Sequence, residues 1–298
     1  MIINLRLIEQ CNYNCSYCTM HSDKRTSFDF TLFNSCVKEI MKHEEHSIIF
    51  IYGGEPFLQN LEMLKKIIML SKVYNLKIIF QTNLSDKSFL KIKSLLKGHN
   101  KSDTPQFFIN ASYHQEWDTF NNFLKKLNFL KSKNILNEIA FMDEEKNYDH
   151  YNKFKKIFKD CCNVEFCPII NGNVLYDDNV DIASDSLVSL EQKPIFSELK
   201  KDYHFRLNYY KWKNEDCNNK NNNCYISLHE IHFFNNKLYR CLNDAIYDLN
   251  SIDIGVFDFV DYKKPITCPH NRCFFDMQYF ERNYLKKDTI NEKTRKQT

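Results

Sequence analysis

Ile2-Ile3-Asn4-Leu5-Arg6-Leu7-Ile8 runs, after Glu9-Gln10, into Cys11-Asn12-Tyr13-Asn14-Cys15-Ser16-Tyr17-Cys18. The apolar run reads as a strand that leads directly into a cysteine loop. The loop's spacing, CxxxCxxC, offers three thiolates, one fewer than a four-iron cluster has irons. An iron without a protein ligand is left to bind something else. The loop therefore reads as a reaction centre and not only as a structural clamp.

Downstream, short apolar runs alternate with segments of helical period. Residues 47–52 read as a buried strand followed by Gly53-Gly54-Glu55-Pro56, and residues 76–81 as a strand ending at Thr82-Asn83. Residues 106–111 lead to Ser112-Tyr113-His114, and residues 137–142 and 163–170 complete six strands. Between them lie one-sided faces such as Phe33, Cys36, Val37, Ile40 and Met41, then Leu61, Leu64, Ile67 and Ile68, then Phe89, Ile92, Leu95 and Leu96. Phe120, Phe123, Leu124 and Leu127 make a fourth, and Tyr151, Phe154 and Phe158 a fifth. Continuous apolar strands in βα repeats argue for an α/β fold with a parallel sheet and helices outside. The polar and unusual residues gather just after the strands, the end at which barrel enzymes build their sites.

The 298 residues allow one large α/β domain or a barrel with a small appendage, and 43% hydrophobic content supports a sizeable core. The net charge of +3 is supplied by the tail 281–298, with six Lys/Arg against three Asp/Glu, so no basic stripe argues for nucleic acid. That tail reads as a frayed, solvated end. No stretch reaches the length of a membrane span, and no basic region precedes a long apolar run at the start, so a cytoplasmic location is expected. Twelve cysteines in that compartment point to metal or redox chemistry more than to disulfides. A structural zinc site among Cys11, Cys15 and Cys18 would want a fourth ligand, and His21 is the only nearby substitute.

CxxxCxxC on the loop after the first strand, with Tyr17 just before its last cysteine, resembles the radical SAM enzymes. Gly53-Gly54-Glu55-Pro56 after the second strand resembles that family's GGE motif, which meets the methionine end of SAM. The resemblance covers residues 1–170 and implies a partial (β/α)6 TIM-type barrel. It implies that Cys11, Cys15 and Cys18 hold a [4Fe–4S] cluster whose fourth iron chelates S-adenosyl-L-methionine. Reductive cleavage there yields methionine and a 5′-deoxyadenosyl radical, which abstracts hydrogen from a substrate. Tyr17, Gly53, Gly54, Glu55 and Ser112 would shape the SAM site. Thr82-Asn83 resembles the family's TNG segment, with Leu84 where Gly is usual, and adds Asn83 to the cofactor-binding residues. Ser112-Tyr113-His114 sits where relatives have Ser-x-Asp. His114 faces the same side as Ser112 and is the candidate catalytic residue, reaching substrate or shuttling a proton; the plain alternative is a loop hydrogen bond. Glu165 and Cys167 share a parity on the sixth strand, with Cys167 read as a buried thiol.

Past residue 170 the βα rhythm stops. A polar, irregular stretch precedes residues 226–234 and 237–241, which flank Asn235-Asn236, a turn pair for a β-hairpin. Cys224, Cys241, Cys268 and Cys273 offer four thiolates across this region. They resemble the twitch subdomain, the short form of the SPASM extension, which implies a second, auxiliary [4Fe–4S] cluster. Asn236 occupies that motif's turn-Gly position, where Asn tolerates a left-handed backbone, and Gly255 after the hairpin suits the pattern. A Cys₄ zinc knuckle is the alternative, and Cys217 the alternative to Cys224. Cys36, Cys161 and Cys162 read as helix packing residues. The expected division is a barrel over 1–170, a linker and small α+β twitch-like domain over 171–280, and the tail.

The expected activity is that of a radical SAM enzyme, oxidising or cross-linking a peptide in the manner of natural-product maturases. Dehydrogenation or rearrangement of a small polar molecule is the alternative within that chemistry, and a non-catalytic metal-binding or electron-transfer protein the alternative outside it. The start directly at the barrel strand, without a leader-peptide-binding domain, weighs against a peptide. The absence of a Gly-Gly tail weighs against the GTP cyclase of molybdenum-cofactor synthesis. An external electron donor such as flavodoxin or ferredoxin is the expected partner.

Overall fold

A computed structural model describes residues 1–16, 18, 27–97, 106–143, 148–168, 223–224, 226–241, 244–245 and 248–268. Tyr17, His21, Cys273, all of residues 169–222 with Cys217 among them, and the tail lie outside these residues. The first half alternates strand and helix: β1 (Ile2–Ile8), α1 (Phe30–Ile40), β2 (Ile48–Gly53), α2 (Leu61–Tyr74), β3 (Lys77–Thr82), α3 (Asp86–Leu95), β4 (Phe108–His114), α4 (Phe120–Ser132), β5 (Leu136–Asp143), α5 (Tyr148–Phe158) and β6 (Asn163–Pro168). These strands lie within one or two residues of the runs read from the sequence, except that β4 extends through His114.

The helices begin where short polar side chains supply the orphan amide donors with acceptors. Asp29 accepts from Thr31 and Leu32 at the start of α1. Asn60, Ser85 and Thr119 do the same at α2, α3 and α4. Helix α2 stops at Asn75, which adopts φ +51°, the left-handed cap that Asn accepts after Gly.

Strands β1 to β6 pair in parallel and in sequence order. The C-terminal region adds β7 (Asn223–Cys224), β8 (Glu230–Phe234), β9 (Lys237–Tyr239), α6 (Phe259–Tyr262) and β10 (Ile266–Thr267). Strand β8 pairs in parallel with β1, and β9 returns antiparallel to β8, so one eight-stranded sheet runs β6-β5-β4-β3-β2-β1-β8-β9. Asn235 and Asn236 both take positive φ, 48° and 60°, as a two-residue primed turn requires. Residues 226–228, read from the sequence as part of the hairpin strand, form a 3₁₀ turn instead. The short pair β7–β10, with Ile266 opposite Cys224, has no counterpart in the sequence reading.

Alternation within each strand sets two faces. Ile3, Leu5, Ile49, Ile51, Ile78, Phe80, Ile109, Phe141, Ile231 and Phe233 join a single core with Phe33, Val37, Leu64, Ile92, Phe123 and Phe154 from the helices. The face turned away from the helices carries Asn4, Arg6, Tyr52, Gln81, Asn110, Ser112 and His232. Strands that read as continuous apolar runs thus bury hydrophobes on one side and present polar groups on the other. Cys36 packs in the core as expected and half-buried Cys162 packs against it, both as packing residues, but Cys162 does so from the turn after α5, where Cys161 is exposed. Among the described residues no helix is long and apolar enough to cross a membrane.

Candidate active site

The cysteine loop rests directly on the Gly53-Gly54 turn. Gly54 N–H donates to Ile8 O at 2.8 Å and Glu55 N–H to Gln10 O at 2.9 Å. A Cβ at Gly54 would sit 2.3 Å from the carbonyl oxygens of both Glu9 and Gln10, and one at Gly53 2.2 Å from Ile8 O. Gly53 also has φ +133°, a region closed to side-chain-bearing residues. Glycines permit close backbone approach. The approach on view is to the backbone entering the cysteine loop, so the GGE segment sets where that loop lies.

Glu55 is fully buried. Its carboxylate accepts from Phe57 N–H at 3.0 Å, from the Thr82 hydroxyl at 2.8 and 2.9 Å, and from Asn83 N–H at 2.8 Å. Burial pushes its carboxyl above the usual range, and these hydrogen bonds pull against it. Asn83 then reaches the loop itself: its Nδ2 donates to Asn12 Oδ1 at 3.0 Å and to Cys11 Sγ at 3.5 Å. The turn after β2, the turn after β3 and the cysteine loop form one hydrogen-bonded unit. Burial raises the Cys11 thiol, while the Tyr13 amide on its sulfur lowers it.

Leu84, where the resembled motif has Gly, takes φ +51° with its side chain fully buried. The left-handed turn survives the substitution: Leu84 N–H donates to Thr82 Oγ1, and Leu84 O accepts from the buried Lys126 ammonium at 3.0 Å. Lys126 also pairs with Asp86 at 2.7 Å and Asp118 at 2.8 Å, tying the turn after β3 to the loop after β4. Nothing in the sequence pattern singled out Lys126, because a lysine at a helix position reads as solvated surface.

His114, at the end of β4, places Nδ1 3.5 Å from Cys15 Sγ. Burial pulls its imidazole down to about 4, so the ring is neutral near pH 7. Tyr13 packs edge-on against it and stacks on Trp117 at 5.2 Å. Glu116 takes hydrogen bonds from the Ser16 amide and hydroxyl at 3.2 and 2.5 Å. Ser112 accepts from Gln81 Nε2 at 2.6 Å. The structure thus brings Cys11, Cys15, Cys18, Gly53, Gly54, Glu55, Asn83 and His114 to one end of the sheet, with Ser112 two residues below His114.

Farther along the chain, Cys224, Cys241 and Cys268 gather with Ile226 and Ile266 in one small cluster. Asp244, which the sequence reading did not single out, lies between Cys241 and Asn250. Its N–H and Oδ2 are each 3.5 Å from Cys241 Sγ, and its Oδ1 accepts from Asn250 at 2.9 Å. Among the described residues, no three of His, Cys, Asp and Glu gather tightly enough to hold a single metal ion. An iron–sulfur cluster takes thiolate donors, each on a different iron. Both sets of residues fit such a group by donor chemistry.

Residues 4–103 match the model of a 4Fe-4S single cluster domain family. No curated protein matches the sequence. Among solved structures, the chain is similar to anSMEcpe with bound AdoMet, at TM-score 0.53 and 17% identity over 88% of this chain and 79% of that one. The complex of anSMEcpe with AdoMet and the Kp18Cys peptide matches at TM-score 0.51 and 19% identity over the same shares, 88% and 79%. Streptococcus suis SuiB bound to precursor peptide SuiA matches at TM-score 0.56 and 10% identity, covering 88% of this chain and 64% of that one. The shared fold and the cluster-domain match bear out the resemblance read from CxxxCxxC and Gly53-Gly54-Glu55, with a mostly parallel α/β sheet flanked by helices.

Proposed function

We propose that the chain is a radical SAM enzyme that oxidises or cross-links a peptide. The observation that carries this reading is the joining of CxxxCxxC to the Gly53-Gly54 turn through Glu55 and Asn83. A loop with three thiolates and a backbone pinned this closely is suited to hold a cluster with one iron left for a small ligand. Cys11, Cys15 and Cys18 would hold that cluster, and SAM bound to it supplies a hydrogen-abstracting 5′-deoxyadenosyl radical. The chain's own part is to fix the loop, exclude water and hold the substrate. Asn83 and Glu55 do the first. Tyr13, edge-on to His114 and stacked on Trp117, covers the loop's flank. Neutral His114 beside Cys15 positions the loop's second thiolate. Gly53, Gly54, Ser112 and Tyr17 would border SAM.

Cys224, Cys241, Cys268 and Cys273 would hold an auxiliary cluster that carries an electron. The peptide reading is supported by the peptide complexes of proteins with this fold and by the polar face of the sheet. Anaerobic reconstitution tests the whole. About eight irons per chain with SAM-dependent 5′-deoxyadenosine is the expected result. Two zincs and no SAM cleavage would sink it.

A further inference from the structure

Two buried polar atoms that belong to none of the contacts above lie on the sheet face turned away from the helices. His232, on β8, is 4% exposed, and its Nδ1 is buried with no hydrogen-bond partner among the described residues. Arg6, on β1, is 9% exposed, and its Nε is in the same condition. The strands are neighbours, with Asn4 opposite His232 and Leu5 opposite Phe233. Arg6 therefore sits one step diagonal to His232 on the same face. It also lies just below the Gly53 turn, since its Cγ is 3.5 Å from where a Gly53 Cβ would be.

The rest of the cluster fixes what each atom offers. His232 Nε2 lies 3.0 Å from Glu230 Oε1. A carboxylate only accepts, so Nε2 donates a ring proton to it; when that is the ring's one proton, Nδ1 presents a lone pair. Asn4 Nδ2 donates to the other Glu230 oxygen at 3.3 Å and holds the carboxylate in place. The Arg6 guanidinium stacks over the Phe234 ring at 4.4 Å and pairs through Nη2 with Glu9 at 3.0 Å, while its buried Nε–H keeps no acceptor among the described residues. Burying an unpaired donor and an unpaired acceptor on one face of neighbouring strands is costly, and a ligand that supplies both complements relieves both.

We propose that Arg6 and His232 form a substrate-recognition pair for an uncharged amide: Arg6 Nε–H donates to its carbonyl and His232 Nδ1 accepts its N–H. A carboxylate would offer two acceptors and meet the lone pair of His232 beside Glu230. An ammonium would offer only donors and meet Arg6. An uncharged group also avoids the penalty of burying a new charge. The amide can come from a peptide backbone or from an Asn or Gln side chain. The assignment rests on the peptide reading above and deepens it, placing the substrate along β1 and β8, on the side of the first cysteine loop.

The test uses the full reconstituted chain, clusters oxidised, with ¹⁵N-labelled histidine and arginine. The expected resting state of His232 is protonated Nε2 and bare Nδ1; a protonated Nδ1 overturns the proposal. Titration with N-acetylalanine methylamide is expected to move the His232 Nδ1 and Arg6 Nε signals together on one saturation curve, while sodium acetate does not move both. Tighter binding of the methylamide than of acetamide identifies a backbone amide, and the reverse order a side-chain carboxamide. Failure of both amides to move either signal overturns the proposal. Glu230→Gln lets the ring proton leave Nε2 and is expected to weaken binding about tenfold, as losing one buried hydrogen bond would; His232→Phe and Arg6→Lys are expected to weaken it at least as much. SAM cleavage is assayed separately. Cleavage without an amide response defeats this pair and spares the enzyme reading; an amide response without cleavage does the opposite.

Discussion

The two cysteine sets of this chain are built in opposite ways. Cys11, Cys15 and Cys18 come from one loop, and its position is dictated by backbone contacts to the next strand's turn. Cys224, Cys241 and Cys268 come from β7, the end of β9 and the end of β10, and they meet only because those segments pair and pack. The first set is local, with distant residues clamping it. The second exists only once the C-terminal region has folded onto itself. Chemistry at the first should therefore be separable from stability, whereas loss of the second should cost order as well as metal.

The largest expected effect is at the first set. Replacing Cys11, Cys15 and Cys18 together with Ala should remove about four irons per chain and abolish 5′-deoxyadenosine formation, with little change in the melting temperature. Iron assay, chromatography and circular dichroism read the three. A large drop in melting temperature would break the contrast between the regions. Next, Cys224→Ser with Cys241→Ser should remove the other set of about four irons, leave SAM cleavage measurable and lower the melting temperature. Loss of cleavage along with the iron would show that the sets do not act separately.

Gly54→Ala tests the packing that positions the loop. Its Cβ meets two carbonyl oxygens at 2.3 Å, and such an overlap should cost about 3 kcal/mol in urea unfolding and lower cluster occupancy. Leu84→Gly sets two effects against each other. It relieves a left-handed Leu, worth about 1 kcal/mol, but vacates a fully buried site, which costs about 3 kcal/mol. A net loss of about 2 kcal/mol is expected, and stabilisation would mean that backbone strain outweighs packing. The smallest change is Asn236→Gly. The turn keeps its φ, but Asn236 Oδ1 no longer accepts from Asp29 N–H, a 2.7 Å bond between the hairpin and the start of α1. A cost of about 1 kcal/mol is expected.

Legibility followed the range of the interactions involved. The six βα strands and the Asn235-Asn236 turn could be read because each depends on residues within a few positions of one another. The metal-ligand candidates could be read because thiolates declare their chemistry. The role of Glu55 could not. Its four hydrogen bonds come from Phe57, Thr82 and Asn83, and the last two arrive on another strand. Lys126 was invisible for the same reason: its partners are on the turn after β3, at the start of α3 and in the loop after β4.

By itself, then, the sequence determined which residues offer thiolate ligands, where the hairpin turns, and how strands and helices alternate, because these follow from side-chain chemistry and local periodicity. Only the tertiary structure decided that β8 lies beside β1. That pairing joins residues more than two hundred positions apart, and no local preference records it. It places His232 opposite Asn4 and Phe234 beneath Arg6, and so makes a recognition surface from residues that, read along the chain, have nothing to do with one another.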